Sequence, residues 1–246
     1  MKAEYISHMG TDNTVADAAR VSFSKTSENF TAAQNKGLIQ FLARGCMKGD
    51  WDTMVTELSQ GQGTKEDVNA LLKHVKNMPT HFSPFTHPQI TLLETVPIFV
   101  ARQTFKHQIG FTRNEVSRRY VDDTPEFHFP GDDGWRARPV GGIKQGSGGV
   151  ADASYMSNIA YEQHMVRCES LYEDMLADGI APEQARMVLP QSMLTTYWVT
   201  GSLYAWANAF IQRSDPHAQV EIQQLAAQWE TIIQPLFPES WEALTK

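Results

Sequence analysis

Alternating and helical hydrophobic patterns divide the central part of the chain into strands and a helix. Residues 89–96 alternate between apolar and polar side chains among β-branched neighbours, which predicts a strand. Pro97 suits the first turn of a helix, which the pattern extends to about Gln108. The chain is then expected to leave the helix at Gly110 and to form a second strand over 116–121.

The C-terminal part of the chain is predicted to be mainly helical. Apolar residues recur at helical spacing over 153–178, and Gly179 is placed as a C-terminal cap. A further helix is expected to begin at Pro182 and to be interrupted or kinked at Pro190, in a segment apolar enough to be buried. Residues 216–236 are predicted to form the last amphipathic helix.

The N-terminal part and two weakly patterned regions complete this picture. Residues 3–44 indicate a short strand followed by helical pieces. Four glycines and a charged helical patch at 65–76 make 45–78 an elaboration on the main body. Three prolines make 79–88 an ordered loop, and seven glycines make 130–150 a mobile loop or insertion.

Composition limits what kind of protein this is. The chain has 246 residues, of which 41% are hydrophobic and 20% charged, enough for a full core. A net charge of -7 gives no general attraction to nucleic acid or anionic lipid, so small phosphorylated ligands fit better. The longest apolar run is far too short for a membrane span and no signal-peptide core is visible, so a soluble, unprocessed protein is expected.

Cysteine and histidine usage argues against metal or disulfide chemistry. Cys46 and Cys168 stand in no paired spacing, which favours a reducing, cytoplasmic setting and no cysteine nucleophile. His81 and His87 lack a third ligand at a familiar spacing, so no metal site is predicted. An imidazole stacked on an aromatic ligand is the better functional interpretation of His81.

Positive charge is concentrated in residues 102–120. This segment holds five of the 21 Lys and Arg residues but one of the 28 Asp and Glu residues, Glu115. Guanidinium groups bind phosphate bidentately, while amide and hydroxyl groups can read the edge of a uracil or flavin ring. The alternative is a solvated helix face followed by an edge strand. The shortage of carboxylates favours a binding site, because a solvated face usually mixes signs.

Two further polar groups can be explained by local structure, without a binding or catalytic role. Glu183 and Arg186, three residues apart, are by themselves interpreted as a surface ion pair. Asp215 is expected to cap the last helix and Arg213 to neutralise the preceding helix C-terminus. This account leaves His217 unexplained.

Six motifs in matching order resemble one family, the flavin-dependent thymidylate synthases, which methylate dUMP without the cysteine nucleophile of the classical enzyme. The motifs are AARVSF at 18–23, HFSPFTH at 81–87, PIFVARQ at 97–103, NEVSRRY at 114–120, ARMVLP at 185–190, and RSDPHAQ at 213–219 with EIQQ at 221–224. The resemblance runs through nearly the whole chain.

The resemblance implies conversion of dUMP to dTMP by reductive methylation. FAD reduced by NADPH would supply the hydride, and 5,10-methylenetetrahydrofolate would supply the carbon. Arg213 would be catalytic, contacting the uracil ring to favour its N3-ionised form, and Ser117 would position phosphate. Residues implied around dUMP are Gln103, Thr104, Phe105, Lys106, Glu115, Val116, Ser117, Arg118, Arg119 and Arg186. Residues implied around the flavin are Ser22, His81, Ser83, Lys106, His107, Gln108, Arg113, Glu115, Ser202, Tyr204, Asn208 and His217.

The chain departs from the family signature on the flavin side. The family carries Arg-His-Arg, seven residues, then Ser, whereas this chain has Lys106-His107-Gln108, eight residues and Ser117. Gln108 therefore lacks a cation that helps to hold the flavin phosphates, and Arg113 is a hypothetical replacement. Further departures lie at three flavin-side positions, Thr86, Ser202 and Tyr204.

The resemblance also implies the architecture and assembly. We expect a single α+β domain over 1–246, with helices around a mainly antiparallel sheet and insertions near 45–78 and 128–152. Family members are homotetramers with shared active sites. The alternative is a flavin- or nucleotide-binding protein with NADPH oxidase activity and weak or no methyl transfer. A nucleic-acid-binding module is disfavoured by the net charge of -7.

Overall fold

The computed structural model describes most of the chain. The described residues are 1–46, 55–56, 59–60, 64–76, 81–130, 134–140, 146–151 and 154–246. Much of the predicted insertion at 45–78 and part of the glycine-rich segment 130–150 lie outside them. Among the described residues of that segment, Arg136 and Val150 form an isolated antiparallel bridge.

Four strands form one antiparallel sheet, and helices complete an α+β fold, as predicted. The strands are β1 (Lys2–Met9), β2 (Gln89–Pro97), β3 (Phe111–Glu115) and β4 (Leu194–Ser202), in the order β1-β2-β4-β3. Hydroxyl pairs mark the register of the central strands: Thr91 lies 2.9 Å from Thr200, and Thr95 lies 3.0 Å from Thr196.

Helices occupy most of the remaining described chain. They are α1 (Asp12–Arg20), α2 (Ala32–Ala43), α3 (Lys65–Lys76), α4 (Ile98–Thr104), α5 (Ser154–Ala177), α6 (Pro182–Ala185), α7 (Leu203–Arg213), α8 (Val220–Ile233) and α9 (Pro238–Thr245). None of the described helices is long and apolar enough to cross a bilayer.

The chain divides into two compact units, and β1, β2, β4, α7 and α8 each contribute residues to both. The first unit comprises Met1–Ile6, Thr91–Thr200 and Gln212–Trp229, and the second comprises Ser7–Ile90, Gly201–Ile211 and Glu230–Lys246. The expectation of one domain over 1–246 stays a prediction.

Each unit has its own buried aromatic residues. Tyr172, Tyr197 and Trp229 are buried in the first unit, and Trp206 and Trp241 in the second. Burying side chains of this size contributes most of the hydrophobic stabilisation. The folding of the two units is therefore explained by ordinary cores, without disulfides.

The end of the second unit is fixed by a carboxylate from its beginning. The two carboxylate oxygens of Asp12 accept hydrogen bonds from the main-chain N–H groups of Glu239 and Ser240, both at 2.9 Å. These N–H groups belong to the first turn of α9 and have no partner within the helix. Asp12 therefore caps α9 across a sequence separation of more than 200 residues.

The predicted strand at 89–96 and the predicted helix at 153–178 are confirmed as β2 and α5. In β2 the side chains at Ile90, Leu92, Glu94 and Val96 are buried, in register with the alternation. Gly179 ends α5 with a φ of +81°. The N–H of residue 180 reaches back to the carbonyl of residue 175 at 2.9 Å, which completes a left-handed helix cap.

The predicted helix after Pro97 is confirmed as α4, but its expected end near Gln108 and the predicted strand at 116–121 are wrong. The helix ends at Thr104, and the strand that follows is β3, Phe111–Glu115. Val116 makes the last main-chain bond of this pairing, from its N–H to Thr196 O at 2.9 Å. The chain then turns, because Tyr120 N–H bonds back to Ser117 O at 3.0 Å.

The expected helix from Pro182 was also too long, and a strand was missed. The helix is the single turn α6, and after Pro190 the chain forms β4, where Thr195, Tyr197 and Val199 are buried. This alternation of β-branched and aromatic residues is a strand signal in the sequence. The predicted helix at 216–236 is confirmed as α8 with shorter bounds, but it is not the last one, because α9 follows it.

Two glycine-to-alanine substitutions should act with opposite signs. At Gly179 the backbone is left-handed (φ +81°), so a Cβ should lower the free energy of unfolding by about 1 kcal/mol. At Gly37, inside α2, no atom other than those of the helix backbone and the adjacent residues lies within 4 Å of the position that a Cβ would occupy, so alanine should raise it by about 0.5–1 kcal/mol. Chemical denaturation of Gly179→Ala and Gly37→Ala measures both. Shifts in the same direction would contradict this account.

Candidate active site

A tight bend at residues 105–110 joins α4 to β3 in the first unit. His107 N–H donates to Thr104 O at 3.0 Å, which closes a turn directly after the helix. Gly110 has a φ of +78°, a conformation that glycine adopts without a steric penalty, and the chain then enters β3. The side chains of Lys106 and Gln108, predicted to share a helix with Gln103, therefore project from this bend.

Arg113 on β3 satisfies main-chain carbonyls at the bend. Its Nη1 donates to His107 O at 2.6 Å and its Nη2 to Thr104 O at 3.1 Å. The guanidinium carbon lies 4.6 Å from the Phe111 ring centre and 5.5 Å from that of Phe105. Burial lowers the pKa of Arg113, but a guanidinium stays charged at neutral pH. Arg113 thus has a structural use here, and its predicted contact with flavin phosphates stays a prediction.

Arg213, the last residue of α7, binds the same bend from another part of the chain. Its Nε donates to His107 Nε2 at 2.8 Å, and its Nη2 donates to Gln103 O at 2.9 Å. Burial, with the charges of Arg213 and Arg113, lowers the pKa of His107 to about 4. The imidazole is therefore neutral at pH 7 and accepts through Nε2, which leaves the proton on Nδ1.

The positive charge of Arg213 is not compensated by a nearby carboxylate. Among the described residues it makes no ion pair, and its Nη1 makes no hydrogen bond. Its acceptors are an imidazole and a peptide oxygen, both uncharged. Burial lowers the pKa of Arg213, yet the group remains a cation. The arrangement is a fixed guanidinium suited to an anion that develops beside it.

Gln103 contributes both its backbone and its side chain to this cluster. While its carbonyl accepts from Arg213, its Nε2 donates to Gln219 Oε1 at 2.7 Å. Gln219 lies in the turn that precedes α8. The RSDPHAQ segment is thereby joined to α4 at both of its ends.

A cavity of about 530 Å³ lies at the end of β3 in the same unit. Predicted nucleotide-binding residues meet there: Glu115, Val116, Ser117, Arg118 and Arg186 line it. Further lining residues are Thr95, Ile98, Asp123, Thr124, Glu126, Leu189, Met193, Leu194, Thr195 and Thr196. The volume and the mixed polar lining fit a ligand the size of a mononucleotide. Arg119 and Arg213 are not among its lining residues.

The three arginines at or beside this cavity have different partners. Arg118 Nη1 lies 2.6 Å from Asp123 Oδ1. Arg119 Nε lies 3.4 Å from Glu183 Oε2, a pair in which both side chains are about half exposed, 51% and 54%. Arg186 Nε donates to the main-chain oxygen of Glu183 at 3.2 Å. The expected Glu183–Arg186 ion pair is therefore wrong, because the Glu183 carboxylate faces Arg119.

Asp215 organises a turn rather than the first turn of α8. Its Oδ1 accepts from His217 N–H at 2.8 Å and lies 3.0 Å from the His217 Nδ1. Since α8 begins at Val220, the predicted cap of the last helix by Asp215 is wrong. The same contacts supply the missing explanation for His217. Arg213, expected to neutralise the C-terminus of its own helix, instead donates to the carbonyl of Gln103 in the last turn of α4.

The second unit holds the remaining predicted flavin-side residues. Phe82 is exposed and stacks on Tyr204, with ring centres 5.2 Å apart. Asn208 Nδ2 donates to Tyr204 O at 3.0 Å, one turn along α7. The exposed His81 ring centre lies 6.1 Å from that of Phe41. This unit therefore presents aromatic faces beside amide and imidazole groups.

Three serines predicted at the flavin differ in accessibility. Ser22 and Ser83 are exposed. Ser202 is buried, and its Oγ accepts from Ala205 N–H at 3.2 Å at the start of α7. Its hydroxyl is thus already used to cap a helix. The predicted cofactor contact of all three serines stays a prediction.

No cluster of three potential ligand side chains, His, Cys, Asp or Glu, is found among the described residues. The buried Cys168 has its Sγ 3.6 Å from His164 Nε2, one turn earlier on α5. Cys46 forms no disulfide, and its thiol donates to Leu42 O at 3.9 Å. Neither cysteine lines the cavity at the end of β3.

One buried carboxyl group, that of Glu94, was not predicted from the sequence. Glu94 on β2 is 1% exposed, is hydrogen-bonded to Tyr197 Oη and accepts, at 2.6 Å, from Trp229 Nε1. Burial raises the pKa of Glu94 to about 7, although both hydrogen bonds and the charge of Arg113 oppose that rise. Its sequence signal is a carboxylate at a core position of an alternating strand.

Comparison with known proteins places these features in context. The family model described as thymidylate synthase complementing protein matches residues 4–239. A flavin-dependent thymidylate synthase of Thermosipho africanus is 34% identical over 194 residues, covering 77% of this chain and 82% of that protein. The enzyme of the same name from Thermus thermophilus is 31% identical over 192 residues, covering 76% and 67%.

Among solved structures, the UMP/dUMP methylase PolB from Streptomyces cacaoi, bound with 5-Br dUMP, has a similar fold. The TM-score is 0.75 at 24% identity, over 99% of this chain and 94% of that one. The likeness agrees with the α+β architecture and covers both compact units.

Replacing Arg113 should test its structural role without any ligand. Arg113→Ala leaves the carbonyls of Thr104 and His107 without their charged donor and should lower the free energy of unfolding by about 2–3 kcal/mol. The matched control is Arg167→Ala, an exposed arginine on α5, which should change it by less than about 0.5 kcal/mol. Chemical denaturation of the flavin-free variants compares them. Equal effects would refute the role of Arg113 at the bend.

Proposed function

Because the chain belongs to the family of flavin-dependent thymidylate synthases, we propose that it converts dUMP to dTMP by reductive methylation. The carbon donor in this proposal is 5,10-methylenetetrahydrofolate, and the reductant is NADPH acting through FAD. The products are dTMP, tetrahydrofolate and NADP⁺. The proposal assigns the chemistry of the reaction to cofactors and the positioning of the pyrimidine to this chain's own side chains.

The environment of Arg213 carries the proposal. A guanidinium held by two uncharged acceptors keeps its full charge and its orientation. Placed against the pyrimidine ring, it stabilises negative charge as that charge forms, with no reorganisation at the moment of reaction. No protein nucleophile is needed in this scheme, which accords with the absence of both cysteines from the cavity lining.

The cavity at the end of β3 is proposed to hold the nucleotide. Because Arg213 does not line this cavity, the guanidinium that meets the pyrimidine there is proposed to come from a second subunit. Arg186 supplies a planar cation for the phosphate, and Ser117 supplies a hydroxyl at the same wall. Ser117 Oγ also accepts from Arg119 N–H at 3.3 Å, which fixes the hydroxyl in the turn after β3. In this assignment Ser117 positions the phosphate and does not attack the pyrimidine. Glu115, held by Thr195 Oγ1 at 2.7 Å, offers an acceptor for a sugar hydroxyl.

FAD is the proposed cofactor, and the donor set of the second unit fits it. The stacked rings of Phe82 and Tyr204 and the exposed imidazole of His81 offer aromatic surface, and Asn208 offers an amide. When bound, FAD supplies the hydride for the reduction. In the first unit Lys106 is exposed and can meet a flavin phosphate as a point charge.

Unchanged flavin affinity in Arg113→Ala would refute the hypothesis that Arg113 replaces the cation that is missing at Gln108.

A homotetramer with shared active sites is the proposed assembly. Large apolar side chains are exposed beside the first-unit site, including Ile109 at 95% and Tyr120 at 77%. Met187, next to Arg186, is exposed as well. Apolar side chains clustered next to functional residues mark a surface that another protein covers. A second subunit would close the cavity that one chain leaves open.

Substitution of Arg213 should impair the reaction more than substrate binding. Arg213→Ala should lower kcat for tritium release from 5-tritiated dUMP by roughly 10²–10³-fold, because the fixed cation acts on charge formed in the transition state. The assay contains FAD, NADPH and methylenetetrahydrofolate. Arg167→Ala, which removes an exposed arginine from α5, serves as the control and should retain wild-type turnover.

Two outcomes of this assay would contradict the proposal. Equal kcat for Arg213→Ala and wild type would remove Arg213 from the chemistry. Oxidation of NADPH by the wild-type protein with no tritium release and no dTMP formed would instead identify a flavin-dependent oxidase. The flavin absorbance of the purified protein shows in advance whether the cofactor is loaded.

Light scattering after size-exclusion chromatography should give the mass of four chains. Ile109→Asp places a charge on the exposed apolar surface, so it should shift the population towards smaller species and lower turnover in parallel. Val140→Asp is a control of similar exposure, 90%, outside the predicted site. A monomeric wild-type protein with full activity would refute the shared-site assembly.

A further inference from the structure

A buried polar chain runs from β2 to the end of α4, inside the first unit. Glu94 contacts Tyr197 Oη, which lies 2.9 Å from Thr104 Oγ1. Thr104 Oγ1 in turn lies 2.9 Å from Ala101 O. The other oxygen of Glu94 accepts from Trp229 Nε1 at 2.6 Å. Glu94 and Thr104 are at most 2% exposed, so water does not offer alternative partners.

The number of hydrogen atoms available to this chain of hydrogen bonds depends on the charge of Glu94. Three contacts connect Glu94, Tyr197, Thr104 and Ala101 O, and each needs one hydrogen. The hydroxyls of Tyr197 and Thr104 supply two. Among these four groups, the third hydrogen can come only from the carboxylic acid of Glu94, since the carbonyl oxygen of Ala101 has no hydrogen to donate. A neutral Glu94 therefore satisfies every contact, whereas an ionised Glu94 leaves one contact without a hydrogen.

When Glu94 is protonated, all three hydrogen bonds also point in the same direction along the network. Glu94 donates to Tyr197, Tyr197 donates to Thr104, and Thr104 donates to Ala101 O. With ionised Glu94, Tyr197 must turn its hydrogen to the carboxylate. Thr104 then bonds either to Tyr197 or to Ala101 O, but not to both. The contact at risk lies in the last turn of α4.

The end of α4 is the part of the fold that orients Arg213. Thr104 O accepts from Arg113, and Gln103 O accepts from Arg213. His107, which accepts from the Arg213 Nε, follows Thr104 by three residues and bonds to its carbonyl. A shift of Thr104 therefore moves two of the groups that hold the guanidinium of Arg213. Glu94 itself touches neither Arg213 nor the cavity at the end of β3.

We propose that Glu94 is a positioning residue that carries a proton in the folded protein and, through Tyr197 and Thr104, fixes the end of α4 that orients Arg213. The effect on turnover rests on the proposed function, in which Arg213 acts on the pyrimidine. The protonation state of Glu94 does not depend on it.

The surroundings of Glu94 support this assignment. Burial raises its pKa from the ordinary value of 4.5 to about 7. The groups that act on it are Tyr197 from β4, Trp229 from α8 and Arg113 from β3; of these Arg113 alone is charged, and Tyr197 is the other titratable group. The pKa of Tyr197 is itself raised by burial and by Glu94, so Tyr197 keeps its proton.

The raised pKa fixes the sign of the pH dependence. The folded protein retains a proton that the unfolded chain releases between pH 4.5 and about 7. The stability that Glu94 contributes is therefore complete below the lower value and is lost as pH rises through the upper one. Above neutral pH the folded state holds an ionised buried carboxylate.

Infrared difference spectroscopy of the intact protein tests the proton directly. The wild type should show the C=O stretch of a protonated carboxylic acid at about pH 6, and the band should weaken by about pH 8.5. The band should be missing in Glu94→Gln. A wild-type spectrum without this band at the lower pH would overturn the proposal. This measurement needs neither substrate nor turnover.

Denaturation of Glu94→Gln provides a second test. The glutamine amide can donate to Tyr197 while its oxygen accepts from Trp229, so it imitates the protonated acid without ionising. Its stability should come closest to that of the wild type at about pH 4.5, and the margin by which it exceeds the wild type should grow as pH rises to about 7. The same fall with pH in both proteins would refute a titrating Glu94. Should Glu94→Gln not fold, the wild-type band and Tyr197→Phe still decide.

Measurements of kcat and KM distinguish a positioning role of the Glu94–Tyr197–Thr104 network from a general loss of stability. Tyr197→Phe keeps the buried ring but breaks the chain, so kcat should fall roughly tenfold with a smaller change in the KM for dUMP. The control is Thr91→Val, which removes a hydroxyl bond between β2 and β4 that is not part of the Glu94–Tyr197–Thr104 network and should leave kcat unchanged. In Glu94→Gln the decline of kcat above neutral pH should be weaker than in the wild type.

The possible failures are distinguishable. A wild type that releases no tritium from dUMP refutes the proposed function, while the infrared band still reports the proton on Glu94. Wild-type kcat and KM in a folded Tyr197→Phe refute the positioning role even if the band is present. Equal losses in Tyr197→Phe and Thr91→Val would assign the effect to general stability and would also refute it.

Discussion

The carbonyl groups at the end of α4 are the constraint on which the site depends. A helix of seven residues leaves its last carbonyls without intrahelical donors, and these must find partners when they are buried. Arg113 supplies donors to Thr104 O and His107 O, and Arg213 supplies one to Gln103 O. Two cations from separate parts of the chain are thereby fixed by the same short bend. Local backbone chemistry thus creates the electrostatic character of the site.

Uncharged groups keep that positive character intact. His107 accepts from Arg213 as a neutral imidazole because burial and two neighbouring cations disfavour its protonation. The nearest buried acid to Arg113, Glu94, has a pKa raised to about 7 by burial. An ionised carboxylate in its place would offset the arginine charge in a medium of low dielectric constant. The proton on Glu94 and the missing proton on His107 therefore act in the same direction.

Local patterns predicted some elements and failed at others for identifiable reasons. β2 could be predicted because apolar and β-branched residues recur along it, even though Leu93 and Glu94 break the strict alternation. α5 could be predicted because its period continues to Gly179. The early end of α4 could not, since nothing before Gly110 breaks a helix; the donors that stabilise the bend, Arg113 and Arg213, come from residues distant along the chain. β4 has a clear strand composition, but the residues after Pro190 were interpreted as the continuation of an interrupted helix. Tertiary hydrogen bonds override local pattern at the very place where the site is built.

The motifs predicted which residue types surround the candidate site, but not how their charges are balanced. Arg118 and Arg119 are each paired with a carboxylate, from Asp123 and Glu183, and a phosphate would have to compete with it. Arg186 bonds to a main-chain oxygen, and Arg213 to an imidazole and a main-chain oxygen. Within the described residues these two arginines have no carboxylate partner. Spacing along the chain carries no information on such pairing, so the sequence does not distinguish Arg186 and Arg213 from the two arginines that have carboxylate partners.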